Sequence, residues 1–139
     1  MNAKEYLNQL YRLNQIIDSN IAEVQRLRLL CESIPTTDFS RERVSGGIRE
    51  NKIATLIGKA VDLESEIRKE VDDYIDLERE VRHVINTHEN ITERLLLRLR
   101  YIEFNTWEQI AEKMNYSTMQ VWRIHGSALK SLKIPRQCY

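Results

Sequence analysis

Residues Thr106–Leu132 read TWEQIAEKMNYSTMQVWRIHGSALKSL, and this stretch decides how the C-terminal third folds. Thr106-Trp-Glu-Gln109 and Ser117-Thr-Met-Gln120 each have the form of a capping box. In such a box a hydroxyl accepts an orphan backbone N–H, and the glutamine three residues on reaches back to the cap. Asn115 stands where the first helix ends; after glycine, Asn best tolerates the positive φ that such a turn needs. Ile110, Met114, Tyr116, Val121 and Ile124 supply the shared core of a two-helix corner, and Ala111 falls where the helices approach most closely. The pattern predicts a helix-turn-helix, which can lay its second helix into the major groove of DNA. It also fits an ordinary pair of surface helices in a bundle.

At 100° per residue, helix 118–132 turns Val121, Ile124, Ala128 and Leu132 inward and Met119, Trp122, Arg123, Gly126, Lys130 and Lys133 outward. Thr118 and Gln120 lie at its start, the part that meets base edges in this mode of docking. The expected DNA-binding residues are therefore Thr118, Met119, Gln120, Trp122, Arg123, Gly126, Lys130 and Lys133. Arg123 suits bidentate contact to guanine and Gln120 suits adenine, while Thr118 and Met119 can meet a thymine methyl. Lys130, Lys133 and Arg136 lie further along and fit phosphate. Trp122 either presses on the nucleic acid or packs on a neighbouring element, and Gly126 would let a DNA backbone come close. His125 borders the inward face and reads as packed.

Upstream, Asn90-Ile-Thr-Glu93 reads as a further capping box opening a helix over 91–104, with Leu95, Leu96, Leu99 and Ile102 as its core face and Arg94, Arg98 and Arg100 outward. Before that, two long heptad patterns stand on either side of PTTDFSRERVSGG, a Pro- and Gly-bearing stretch expected as a loop over 35–47. The first helix, about 3–34, has the seams Ala3, Leu10, Ile17, Val24, Cys31 and Tyr6, Leu13, Asn20, Leu27, Ile34. The second, about Ile48–His88, has Ile53, Ala60, Ile67, Tyr74, Val81, His88 and Leu56, Leu63, Glu70, Leu77, Val84, Ile91. Asn20 and Glu70 are the polar interruptions. Leu7 and Ile21, with Ile57, Val71 and Ile85, widen the stripes beyond what two helices can cover. The missing cover is either a second copy, giving a homodimer through residues 3–88, or the C-terminal helices folded back; the dimer is the favoured expectation. A turn near residue 41 would set Leu10 opposite residue 72 and let the second helix outrun the first by about ten residues.

The fold expected is all-α: a long antiparallel helical hairpin, 1–88, followed by a small three-helix helix-turn-helix domain, 89–139. Lysine plus arginine and aspartate plus glutamate both number 21, but the charge is uneven. From Thr118 onward the chain carries Arg123, Lys130, Lys133 and Arg136 and no acidic residue, so the positive charge sits where phosphate would lie. The acidic run from Asp62 to Glu80 is interleaved with Arg68, Lys69 and Arg79, and only Glu70 points into a seam, which favours a solvated face over a metal centre. No catalytic residue, metal or cofactor is therefore expected, and the chain is not read as an enzyme. Two distant cysteines, Cys31 and Cys138, and the lack of an apolar leader or spanning run point to the cytoplasm rather than to a membrane.

VWRIHGSALKSL, Val121–Leu132, resembles the end of region four of bacterial sigma factors, in which the helix reads the promoter −35 element. Ser117 matches that family's cap, and Val121, Ile124, Ala128, Leu129 and Leu132 its core. Its base-reading positions correspond to Thr118, Met119, Trp122 and Arg123, where Thr-Met replaces the usual charged pair. Over nearly its whole length the chain resembles a phage and prophage family of Gram-positive bacteria that joins a helical hairpin to a sigma region-four-like domain, through VSGG (Val44–Gly47), VDLESEI (Val61–Ile67), LRYIEFNTWEQIAEKMNYS and RIHGSAL. The resemblance implies a phage-encoded regulator of transcription in a bacterial host cell, binding double-stranded DNA. An interaction module for host RNA polymerase and a recognition subunit for DNA packaging are the alternatives.

Overall fold

The computed structural model describes residues 1–33 and 44–135, all helix and connecting turns with no strand among them. The helices are α1 (Ala3–Ser33), α2 (Val44–Asn86), α3 (Ile91–Leu97) continued by a π-turn (Arg98–Ile102), α4 (Trp107–Met114) and α5 (Thr118–Ser131). The all-α expectation holds. Of the loop expected over 35–47, residues 35–43 lie outside the described residues, as do Ile34, Arg136 and Cys138. Residues 44–47 are not loop: α2 already runs through Val44-Ser-Gly-Gly47. Glycine weakens a helix interior by about 1 kcal/mol. Extending an existing helix is nevertheless far easier than nucleating one, so two glycines at its edge do not stop it.

By packing, the chain forms two compact units, one of Met1–Asn14 with Asp73–Tyr139 and one of Gln15–Asp72. The sequence division at 88/89 separates heptads from corner; the packing division instead cuts across α1 and α2.

In the unit Gln15–Asp72 the helices run antiparallel. Asn20 donates from Nδ2 to both carboxylate oxygens of Glu70, at 3.0 and 2.8 Å, and Arg28 pairs with Glu64. The two polar interruptions of the seams thus meet each other. Opposite leucine, each would leave a partly buried polar group without a partner, at a cost of about 1–3 kcal/mol. This corrects the register deduced from a turn near residue 41, which would place Asn20 about eight residues, or two helical turns, from Glu70. Ile17, Val24 and Ala60 are buried along the seams and Cys31 is half-buried.

In the other unit the first turns of α1 lie level with the last turns of α2, so the expected overrun of about ten residues is absent. Tyr6, Leu7, Val81, Val84, Ile85, Leu97, Tyr101, Ala128 and Leu132 make one core. The widened stripe positions Leu7 and Ile85 are fully buried here, covered by α3, the π-turn and α5. Their counterparts Ile21, Ile57 and Val71 in the other unit are exposed. Of the two covers weighed from sequence, the C-terminal helices supply the one in this unit; in the unit Gln15–Asp72 the stripe is open among the described residues. Ile91, counted in a seam, is exposed because α2 and its periodicity end at Asn86.

α3 lies between two cores, which overturns the single core face expected for it. Leu96 and Leu99 join Ile110, Ala111 and Val121 in the second core, while Leu97 and Tyr101 turn into the first. Leu95, expected inside, is 46% exposed. The π-turn carries the phase change, with Glu103 N–H bonded to Arg98 O at 3.0 Å. Leu97→Ala should therefore destabilise the protein by about 2–5 kcal/mol, whereas Leu95→Ala should stay within about 0.5 kcal/mol, measured by urea denaturation. Equal effects would refute this placement of the helix.

Candidate nucleic-acid interface

The α4–α5 corner is fixed from its ends inward. Thr106 Oγ1 accepts from Gln109 N–H at 3.2 Å while Thr106 N–H donates to Gln109 Oε1 at 2.9 Å. Ser117 and Gln120 repeat this exchange at 3.2 and 2.9 Å. Both expected capping boxes are present. Asn115 is left-handed, φ 58° and ψ 40°, and Tyr116 N–H closes the turn on Ala111 O at 3.0 Å. Ile110 and Val121 are fully buried, Ala111 is buried, and Met114, Ile124 and Trp107 pack against them. Tyr116, expected in this core, is 39% exposed. It follows the left-handed residue, where the chain has already turned outward.

The third expected box is only half formed. Asn90 Oδ1 accepts from Thr92 N–H and Glu93 N–H, but Glu93 does not reach back to its cap. Its buried carboxylate binds His88 Nε2 and accepts from Ser127 Oγ at 2.7 Å. The hydrogen bond from His88, with that from Ser127, holds the Glu93 carboxyl below its ordinary value. One side chain thereby ties the α2–α3 turn and α3 to α5. Arg94, expected outward, donates to His88 O from the same turn. His88 and Glu93 also line a cleft of about 550 Å³ with Asn90, Ser131 and Lys133.

Behind the outward face of α5 runs a stack of rings. Trp122 lies 4.8 Å from Trp107, their planes 28° apart. Arg100 sits over the other partner of that stack, 4.3 Å from the Trp107 ring, and His125 meets Trp107 edge-on at 4.6 Å. Trp122 therefore packs on a neighbouring element while remaining 55% exposed. His125 is buried and lies 2.6 Å from Tyr101 Oη. Burial, with Lys4 and Arg100 nearby, pushes His125 down from 6.5 to about 4, and burial pushes Tyr101 up to about 12. At neutral pH an un-ionised tyrosine hydroxyl and a neutral imidazole accordingly share this hydrogen bond.

Thr118, Met119, Gln120, Trp122, Arg123, Gly126 and Lys130 lie on α5 and are all exposed. The Arg123 guanidinium reaches back 3.8 Å from Met119 Sδ, toward the start of the helix. A Cβ added at Gly126 would meet nothing within 4 Å, so the chain itself sets no demand for glycine there. Lys133 is exposed but lies past the helix: α5 ends at Ser131, with Leu132 as an extended cap, and not at 132 as expected.

Sequence reasoning missed the ring stack, because Trp107 and Trp122 lie on different helices and no periodicity links them. It also missed Phe104, which is left-handed at φ 56°. The next residue, Asn105, is of the type that best tolerates positive φ, but it is buried. It donates to Leu99 O at 3.1 Å and accepts from Lys113 Nζ at 3.0 Å. With that amide committed, the preceding residue takes the turn.

Among the described residues no group of three His, Cys, Asp or Glu side chains could hold a metal ion, and no helix is long and apolar enough to cross a membrane. The geometry defines an all-helical protein whose capped two-helix corner holds one helix face open. The chain belongs to the family described as "Protein of unknown function (DUF1492)", which it matches over residues 33–133. No curated protein and no solved structure matches it.

The lowered His125 has a definite sign. Its folded form holds fewer protons than the unfolded chain, so its contribution is complete above 6.5 and is lost as pH falls toward 4. Urea denaturation from pH 7 to pH 4 should show stability falling, with a shallower fall in His125→Gln. An unchanged slope in the variant would contradict a buried neutral His125.

Proposed function

We propose that this chain is a sequence-specific DNA-binding regulator of transcription, phage-encoded as its resemblance implies, which reads the major groove with α5. The observation that carries the reading is the outward face of α5. Thr118, Met119, Gln120 and Arg123 are exposed on a helix start locked by a complete capping box. From Thr118 onward every charged side chain is basic. A rigid helix start with free polar and apolar side chains is what base-edge recognition requires, and lysines further along meet phosphate. The corner has no chemistry to perform: it binds. Arg123 takes a guanine and Gln120 an adenine within the reach its capping bond leaves, while Thr118 and Met119 face thymine methyls. Trp122, braced by Trp107, presents a fixed apolar wall. Gly126 leaves room for the backbone to approach. Homodimerisation through the hairpin, residues 3–88, would pair two reading heads on two half-sites.

Selection from a random duplex pool, followed by a salt titration on the winning sequence, tests the reading. Lys130→Ala should weaken binding evenly across sequences and reduce the slope of log K against log salt by about 0.9. Arg123→Ala should cost about 1–3 kcal/mol and relax preference at one base pair. Absence of binding at low salt, or affinity indifferent to both substitutions, would overturn it.

A further inference from the structure

The open face of α2 has an order that the seams do not explain. Ile57, Val61, Val71 and Ile75 are exposed, at 49, 54, 36 and 46%. At 100° per residue they fall on one strip of the helix, together with Glu64 and Arg68, within about 40° of one another's mean direction. An apolar strip repeated over five turns is not what a solvated face requires.

The strip reads the same in both directions, with the charges inverted. About a point midway between Glu64 and Arg68, Ile57 mirrors Ile75, Val61 mirrors Val71, and Glu64 mirrors Arg68; the correspondence ends one turn further out, where Ile53 mirrors Arg79. A two-fold axis acts in this way: residue i of one copy meets residue j of the other, and j meets i. Two α2 helices laid antiparallel across that point would set isoleucine on isoleucine, valine on valine and glutamate on arginine, each pair made twice. A partner of different sequence has no reason to demand this symmetry, and a parallel pairing would set Glu64 on Glu64 and Arg68 on Arg68. Arg68 is exposed, and Glu64 keeps part of its carboxylate free beside Arg28. No described residue obstructs close approach at the glycine beside this strip: a Cβ on Gly58 would meet none of their atoms within 4 Å.

We infer that the occupant of this face is a second copy of the chain, docked antiparallel through α2 about the Glu64–Arg68 midpoint. This deepens the pairing half of the proposed function and rests on it, but it is independent of whether the corner binds DNA.

Sedimentation velocity on the full-length, DNA-free protein reads it. The wild type should be a dimer. Glu64→Arg alone and Arg68→Glu alone place like charges opposite each other twice per dimer and should each raise the dimer dissociation constant by on the order of tenfold or more. The double exchange, Glu64→Arg with Arg68→Glu, should return it to within a few-fold of the wild type. Arg28→Ala, which removes only the partner of Glu64 within the chain, should leave the mass unchanged. Val61→Asp should give monomer, with helix content by circular dichroism showing that each variant still folds. A monomeric wild type at every concentration would overturn both the pairing and this surface. A dimer indifferent to Arg68→Glu and Val61→Asp, or one that the double exchange fails to restore, would overturn this surface and leave pairing by another face standing.

Discussion

Most of the C-terminal structure depends on Tyr6 and Leu7 being buried against the end of α2. They form the floor on which Leu97, Tyr101, Ala128 and Leu132 pack. A three-helix corner of some 45 residues is too small to bury a sufficient core alone. Here it also shares the core built on the ends of the two long helices. α3 is consequently apolar on both sides, and α5 is held from beneath by Ala128 and Leu132 while its outer face stays open.

Polar groups then fix what apolar packing leaves free. Asn20 and Glu70 set the register of the long helices, since any other alignment leaves both partly buried and unpaired. Glu93 ties the end of α2 to α5 through His88 and Ser127. His125, kept neutral by burial, joins Tyr101 beneath the ring stack that braces Trp122. Each is a side chain committed to one geometry, and Glu93 and His125 together give the open face of α5 a rigid backing.

The long helices show the same division of labour. Where C-terminal helices lie over the hairpin, the third stripe column is covered at Leu7 and Ile85. Along Ile57, Val61 and Val71 no part of the described chain covers it. A stripe wider than two helices can bury leaves its cover unstated: the C-terminal helices supply it at Leu7 and Ile85, and at Ile57 and Val71 it is open among the described residues.

The sequence by itself determined what is local. Both capping boxes, the left-handed Asn115, the helical class and the exposed side chains of α5 follow from short-range rules, because a cap or a turn is a bond between residues three or four apart. Tertiary structure decided what depends on distant partners. The two-sided burial of α3, the exposure of Leu95 and Tyr116, the diversion of Glu93 from its cap to His88 and Ser127, and the stacking of Trp122 on Trp107 each turn on a neighbour far along the chain. Even the seams, legible as heptads, carried no register until Asn20 met Glu70, since a seven-residue repeat fits itself equally well after every slip of two turns.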